Sequence, residues 1–222
     1  MTAMTDIDTI IGKLETRFGI PEKEKTKDPL SELIFTILSQ NTTDKNRDRA
    51  YERLRGRFVR WEDVLAADTS EIEDAIRVGG LGPQKSKRIK AILGEIYEKT
   101  GTLSLDYLAS LGAEQARKTL LSFNGVGQKT AAIVLLFSLD IPAFPVDTHI
   151  LRVTRRLGLI PAGANADAAH TILGALIPTD KYYPAQRNLI MLGRSLCKPK
   201  NPRCADCPLL ALCRFGQEFL DR

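Results

Sequence analysis

The sequence predicts an all-α protein. Apolar residues recur every three to four positions along most of the 222-residue chain, and no two segments show the alternation that is typical of paired β-strands. Glycine and proline stand where several of these periodic segments begin or end, as they do at helix boundaries. A chain of this length can bury substantial hydrophobic cores, either as one large domain or as two small ones.

The first helices are predicted from their capping residues. Asp28 followed by Pro29 is typical of a helix start, because aspartate is a good N-cap and proline suits the first turn. The apolar run over residues 30–38 then forms the helix. Ser70 and Glu73 have the spacing of a capping box, in which each side chain accepts a hydrogen bond from the other residue's backbone.

The remaining helices are predicted from periodicity and from glycine stops. Ala50, Leu54 and Phe58 recur every four residues, which indicates one face of an amphipathic helix. Gly79 and Gly80 end the segment that the capping box opens. Further helices are expected at about residues 89–100, 114–123, 128–139, 148–157, 166–177 and 184–196.

Composition favours nucleic acid only slightly. Lys and Arg number 32 and Asp and Glu 27, which gives a net charge of +5, and the pI is about 9.0. Such a surplus suits a polyanionic partner or simply keeps a protein soluble. The N-terminus lacks the basic start and apolar run of a signal peptide, and no apolar stretch is long enough to span a bilayer. We therefore expect a cytoplasmic protein.

All four cysteines lie in the last 26 residues, at Cys197, Cys204, Cys207 and Cys213. The spacing C-x6-C-x2-C-x5-C lets one compact segment bring four thiolates together, as soft metals require. A structural zinc site is an alternative, although zinc ligands usually form two close pairs and here only Cys204 and Cys207 are close. Four unrelated thiols are the remaining interpretation.

The segment between the first two cysteines is basic. Lys198, Lys200 and Arg203 place three cations on it, and two prolines stiffen it. It is either a solvated surface loop or a rigid finger that contacts phosphates.

Residues 120–136, LLSFNGVGQKTAAIVLL, predict a helical hairpin. The first helix ends near Phe123, and the second begins at about Gln128. Gly125 and Gly127 between them allow positive φ and a close backbone approach to a ligand. The free N–H groups that start the second helix are suited to a phosphate, although an ordinary helix–turn–helix corner has the same pattern.

Lys129 lies in the first turn of that second helix, where the helix dipole disfavours an ammonium group. If the side chain is also partly desolvated, its pKa falls, which makes a lysine nucleophilic near neutral pH. Contact with a phosphate is the alternative role.

Asp147 follows eighteen residues later, just before another helix. It suits an N-cap, but an ionised aspartate in this position can also stabilise positive charge on a sugar while a glycosidic bond breaks. His149, two residues further, either reaches DNA or packs within the protein.

Together these motifs resemble the endonuclease III family of helix–hairpin–helix DNA glycosylases. The resemblance is carried by ILSQNTTDKN at 37–46, GVGQKTA at 125–131, VDTH at 146–149 and the cysteine spacing. It extends from about residue 8 to residue 215.

The resemblance implies a two-domain all-α fold. A six-helix barrel domain with the hairpin spans residues 29–141, and an iron–sulfur cluster domain combines residues 1–28 and 142–222. The four cysteines are expected to hold a 4Fe–4S cluster. The expected partner is double-stranded DNA that contains damaged pyrimidines or abasic sites. A monomer at the nucleoid, with no membrane contact, is implied as well.

The implied activity is base-excision repair of oxidised pyrimidines, in which the damaged base is extruded from the duplex. Lys129 matches the family's nucleophile, which forms a Schiff base with the sugar and permits β-elimination of the 3′ phosphate. Asp147 matches the carboxylate that assists it, and Leu81 matches the wedge that probes the base stack. The expected DNA contacts are Gln40, Asn41, Leu81, Gly125, Val126, Gly127, Gln128, Thr130, His149, Lys198, Lys200 and Arg203.

Three departures from the family pattern bear on lesion range and turnover. Ser39-Gln40-Asn41 replaces Ser-Ala-Gln, so Asn41 is a shorter plug for the gap left by a flipped base and Gln40 is the alternative plug. Phe123-Asn124 replaces the commoner Leu-Pro. Gln128 replaces a common arginine, which removes a positive charge near the expected phosphate.

Other functions fit the sequence less well. A monofunctional adenine glycosylase lacks the hairpin lysine and has a glutamate in its first loop, whereas Lys129 is present here and that loop carries no acid before Asp44. A non-catalytic DNA-binding or redox-sensing protein requires neither Lys129 nor Asp147. A single-strand binder is disfavoured because aromatic residues make up only 6% of the chain.

Overall fold

The computed structural model describes residues 7–23 and 27–221, and throughout these residues it is all-α, as the sequence predicts. Twelve α-helices and no β-strand lie within the described ranges: α1 (Ile7–Phe18), α2 (Pro29–Leu38), α3 (Asp44–Arg57), α4 (Trp61–Ala66), α5 (Thr69–Ile76), α6 (Gly82–Thr100), α7 (Ala113–Ser122), α8 (Gln128–Ser138), α9 (Thr148–Leu157), α10 (Ala166–Leu176), α11 (Tyr182–Ser195) and α12 (Arg214–Leu220).

The chain divides into two compact units. The hairpin unit is Thr26–Ile141 and contains α2 to α8. The cysteine unit joins Met1–Lys25 to Pro142–Arg222 and contains α1 and α9 to α12. Within the described residues, no helix is long and apolar enough to cross a membrane.

The hairpin unit is built around α2, which packs against α3, α6 and α8. Asp28 caps this helix by accepting a hydrogen bond from the backbone N–H of Ser31 at 2.9 Å. Leu33, Ile34 and Ile37 are fully buried. Each such side chain stabilises the fold by about 1.5–3 kcal/mol. This packing fixes the C-terminal end of α2, where the first predicted DNA-contacting loop begins.

The cysteine unit is centred on α11, against which α1 and α9 pack, while α12 packs on α9. The N-terminal segment is held by polar contacts as well: Asn188 donates to the Gly19 carbonyl at 3.0 Å, and Lys181 pairs with Glu15 at 3.0 Å. The first helix of the chain therefore belongs to the same compact unit as its last helices.

Capping residues were predicted correctly in one place and wrongly in another. The helix α5 begins after Asp68, and its capping box pairs Asp68 with Glu71, so the assignment of the box to Ser70 and Glu73 is wrong. Both pairs have the required spacing. Two short helices, α4 and α12, were not predicted because six or seven residues carry too little periodicity to be recognised.

Candidate functional site

The predicted hairpin is present between α7 and α8. Phe123 and Val126 are buried and anchor the turn, which is closed by a hydrogen bond from the Val126 N–H to the Phe123 carbonyl at 3.1 Å. Gly125 has φ +80°, in the left-handed region that favours glycine. Gly127 has φ −96° and ψ 179°, which any residue adopts, so only one of the two glycines is needed for positive φ.

The N-terminus of α8 is open. Gly127 has no side chain that could accept a hydrogen bond from the first N–H groups of the helix. These N–H groups can therefore bind an anion. Lys129 is exposed in this first turn, so the partial desolvation considered from the sequence is not observed. Val126 and Thr130 are buried, and a DNA contact at either position has to come from the backbone.

The two other loops predicted to reach DNA each present a residue with positive φ. Asn41 follows α2 with φ +51°, and Leu81 precedes α6 with φ +53°. Both side chains are exposed, Leu81 by 43%. Asparagine adopts this region more readily than most residues, whereas leucine there is strained, and such strain is concentrated at functional sites.

A buried lysine joins the bases of these two loops. Lys85 is only 1% exposed, and its Nζ donates to the carbonyls of Leu38 at 2.8 Å and Gly79 at 2.9 Å. Burial lowers the pKa of this amine, and the nearby Arg88 lowers it further. Residues 79–89 and 124–133 both run from a Gly-x-Gly turn into a helix that carries a lysine, but Lys85 is buried and Lys129 is exposed.

Two arginines that the sequence did not single out contact the hairpin. Arg88 donates to the side-chain oxygen of Gln40 at 2.6 Å, and Gln40 in turn donates to the Gly125 carbonyl at 3.5 Å. Arg117 donates to the side-chain oxygen of Gln128 at 3.1 Å. No local pattern marks these arginines, because their partners lie 48 and 11 residues away.

In the cysteine unit, Asp147 is the N-cap of α9. Its Oδ1 accepts a hydrogen bond from the Ile150 N–H at 2.8 Å, and the side chain is half-buried. The N-cap role predicted for it is therefore real, and it holds the carboxylate at a fixed position. His149 contacts Arg152 at 3.2 Å and packs against Gly193, so it has a structural role whether or not it reaches DNA.

The four cysteines line one pocket, with about 290 Å³ of empty space that includes space open to solvent. None of them is in a disulfide. Burial raises the pKa of the Cys204, Cys207 and Cys213 thiols, and the neighbouring sulfurs raise it further. A metal would therefore have to stabilise the thiolates. Four thiols are soft ligands of the kind that zinc and iron–sulfur clusters take.

The pocket brings together the four thiols that the sequence predicts as ligands. No group of three or more His, Cys, Asp or Glu side chains in the described ranges is already arranged to hold a metal ion. The cysteines therefore share one space without forming a closed coordination site.

The basic segment between the first two cysteines is exposed at all three cations. Arg203, however, is paired with Asp206 at 2.7 Å, so its charge is already partly neutralised. Lys198 and Lys200 form no ion pair with any described residue. Asn201, between them and Arg203, has φ +48° and turns the segment.

The fold and these sites define an all-helical protein with a helix–hairpin–helix and a C-terminal four-cysteine segment. The model of the HhH-GPD superfamily of base excision DNA repair proteins matches residues 34–179. The chain belongs to this superfamily.

Individual relatives agree with this assignment. Endonuclease III of Thermotoga maritima is 34% identical over 94% of this chain and 92% of that protein. A candidate DNA glycosylase of Arabidopsis thaliana is 36% identical over 94% of this chain and 73% of that protein. Among solved structures, a trapped covalent endonuclease III–DNA intermediate has a TM-score of 0.85 and 28% identity, and the match covers 99% of this chain and all of that one.

Proposed function

We propose that this protein is a bifunctional DNA glycosylase and AP lyase that removes oxidised pyrimidines from duplex DNA. Its superfamily is one of base excision repair, and its relatives include endonucleases III. The observation that carries the proposal is the exposed amine of Lys129 in the first turn of α8, beside an uncapped helix N-terminus that suits a phosphate. The preference for oxidised pyrimidines rests on the resemblance of the motifs.

Lys129 is the proposed nucleophile. Its amine, after losing a proton to solvent, attacks the sugar C1′, and the glycosidic bond breaks with its electron pair leaving on the base, which takes up a proton. Opening of the sugar ring gives a Schiff base between Nζ and C1′. Loss of a C2′ proton then expels the 3′ phosphate by β-elimination, and water hydrolyses the Schiff base to free the lysine.

Asp147 is the proposed electrostatic partner. An ionised carboxylate stabilises the positive charge that develops at C1′ as the base leaves. Its N-cap hydrogen bond to Ile150 uses Oδ1 and keeps the group oriented before substrate binds. Asn41, Leu81 and the hairpin backbone are the proposed contacts to the duplex.

The four cysteines are the proposed ligands of a 4Fe–4S cluster. The four thiols share one pocket, and the resemblance of their spacing to that of the endonuclease III family favours a cluster over zinc. When bound, such a cluster cross-links the four thiolates and fixes the basic segment between them; the proposed reaction requires no electron transfer. On this proposal the hairpin unit is the barrel domain and the cysteine unit is the cluster domain.

Borohydride trapping tests the nucleophile. Reduction of the Schiff base on a duplex with an abasic site should join the wild-type protein covalently to DNA, and Lys129→Ala should abolish the product. Lys13→Ala, which removes an exposed lysine of α1, is the matched control and should trap normally. Undiminished trapping by Lys129→Ala contradicts the proposal.

A further inference from the structure

The side chain of Arg88 lies against the hairpin turn. If a Cβ were added to Gly125, it would lie 2.1 Å from Nε and 2.3 Å from Cζ of Arg88, so the guanidinium covers the face that the missing side chain leaves open. Glycine at this position therefore serves two purposes, because it also has φ +80°. Arg88 belongs to α6, and this contact joins α6 directly to the turn before α8.

The same guanidinium holds the first loop. Its Nη1 donates to the side-chain oxygen of Gln40 at 2.6 Å, and the amide nitrogen of Gln40 reaches the Gly125 carbonyl at 3.5 Å. Arg88, Gln40 and Gly125 thus form a closed set of contacts. Arg88 has no ion pair with any described residue, so no carboxylate competes with Gln40 for it.

These contacts separate the roles of the two neighbouring loop residues. Gln40 is half-buried, and both the oxygen and the nitrogen of its side-chain amide form hydrogen bonds. Asn41 is exposed and has φ +51°. A side chain that already has two protein partners loses them if it enters a base stack, whereas Asn41 loses nothing comparable.

We propose that Arg88 is a positioning residue that fixes Gln40 to the hairpin turn and thereby presents Asn41 as the residue that enters the base stack. The inference rests on the proposed function. Asn41, and not Gln40, then fills the gap left by a flipped base. Glutamine is suited to position 40 because alanine there would leave the guanidinium without its acceptor.

The contacts predict a selective defect. Arg88→Ala removes the charged hydrogen bond to Gln40. We expect this loss to slow excision of an oxidised pyrimidine by about tenfold. Trapping on a preformed abasic site should fall far less, because no base has to be unstacked. Gln40→Ala should reproduce the same pattern, and the double variant should be no worse than either single variant, since both remove one interaction.

Controls separate positioning from folding and from simple charge. Lys87→Ala removes an exposed cation from the same helix and should excise normally. The melting temperature should be unchanged in Lys87→Ala and Asn41→Ala and should fall by only about 2–4 °C in Arg88→Ala and Gln40→Ala, which lose one hydrogen bond of the folded protein. A 2-aminopurine beside the lesion should brighten when wild-type protein binds and should stay quenched with Arg88→Ala and with Asn41→Ala.

Several outcomes would overturn the proposal. Additive losses in the double variant would show that Arg88 does not act through Gln40. A normal 2-aminopurine signal with Asn41→Ala would make Gln40 the residue that enters the stack. Weaker binding and a flatter salt dependence for Arg88→Ala but not for Gln40→Ala would make Arg88 a phosphate contact instead. If the wild-type protein itself fails to trap abasic DNA, the proposed function fails, which is a different result from normal excision by Arg88→Ala.

Discussion

A single buried ammonium group supports both loops that we propose probe the base stack. Lys85 donates to the last carbonyl of α2, at Leu38, and to the last carbonyl of the short 3₁₀ turn that ends at Gly79. Carbonyls at helix ends lack intrahelical partners and attract cations. The same side chain therefore satisfies two buried acceptors, one before Asn41 and one before Leu81.

Replacing Lys85 by methionine keeps most of the side-chain volume but removes the donor. We expect Lys85→Met to lower the free energy of unfolding by about 2 kcal/mol, because two buried carbonyls lose their partner while the cost of burying a charge is relieved. Urea unfolding followed by circular dichroism measures this. Lys87→Met, at an exposed position of the same helix, is the control and should change little.

The difference in free energy of unfolding between the wild-type protein and Lys85→Met should depend on pH, and its direction follows from the pKa of Lys85. Burial lowers the pKa of Lys85 below its ordinary value of 10.5, so between the lowered pKa and 10.5 the unfolded chain binds more protons than the folded one. Stability contributed by Lys85 therefore rises with pH in this window. The gap between wild type and Lys85→Met should widen as pH increases toward 10.5. A gap that narrows would mean that the native state favours the ammonium form.

At the level of elements, the two hairpin glycines are not equivalent. Gly125→Ala forces a Cβ into the left-handed region and against Arg88, which should cost about 1–2 kcal/mol of stability. Gly127 has extended backbone and no heavy atom within 4 Å of an added Cβ, so Gly127→Ala should cost only about 0.5 kcal/mol, from the weaker N-cap.

The effect of Gly127→Ala on DNA affinity should be larger than its small effect on stability suggests. An added Cβ at Gly127 lies where we propose that a phosphate approaches the open end of α8, so Gly127→Ala should weaken binding despite its near-normal stability. Thermal unfolding and fluorescence anisotropy with a duplex that contains a tetrahydrofuran abasic analogue measure the two effects. Equal affinity for Gly127→Ala and wild type would remove the backbone of this turn from the proposed interface.

The basic segment between the first two cysteines gives a prediction about charge. Lys198 and Lys200 form no ion pair with described residues, whereas Arg203 is bound to Asp206. Neutralising both lysines should make the plot of log affinity against log salt concentration shallower by about 2, since each phosphate contact contributes about 0.9. Arg203→Ala should change the slope less. A larger effect for Arg203→Ala would show that DNA displaces Asp206.

Local patterns predicted the helices better than the contacts between them. The bounds of α9 and the cap of α2 by Asp28 were predicted correctly, because capping and periodicity act over a few residues. The motifs also identified Lys129 and Asp147 as candidates. The contacts of Lys85 with Leu38 and of Arg88 with Gln40 were not predicted, since these partners lie 47 and 48 residues away and the packing of α6 against α2 brings them together.

At the scale of the whole molecule, each unit holds one of the two proposed reactive groups, Lys129 or Asp147, through contacts within that unit. In the cysteine unit, α9 begins at Asp147, and its later turns hold the cysteine segment. Arg152 donates to the Cys197 carbonyl at 2.9 Å, and Arg156 donates to the carbonyls of Lys198 at 2.7 Å and Pro199 at 3.1 Å. One helix therefore connects the proposed carboxylate with the proposed cluster. In the hairpin unit, Lys129 depends on none of these contacts.

Loss of the cluster should consequently affect the two units unequally. The purified protein should be brown and contain iron and acid-labile sulfide in equal amounts, and removal of the iron should increase hydrogen exchange in residues 197–220 and in α9. Peptides from α2 and α8 should exchange as before, because the hairpin unit has its own core. The full-length protein is compared before and after treatment with an oxidant and a chelator. Colourless protein with stoichiometric zinc would contradict the cluster, and unchanged exchange in α9 would contradict its connection to the cysteine segment.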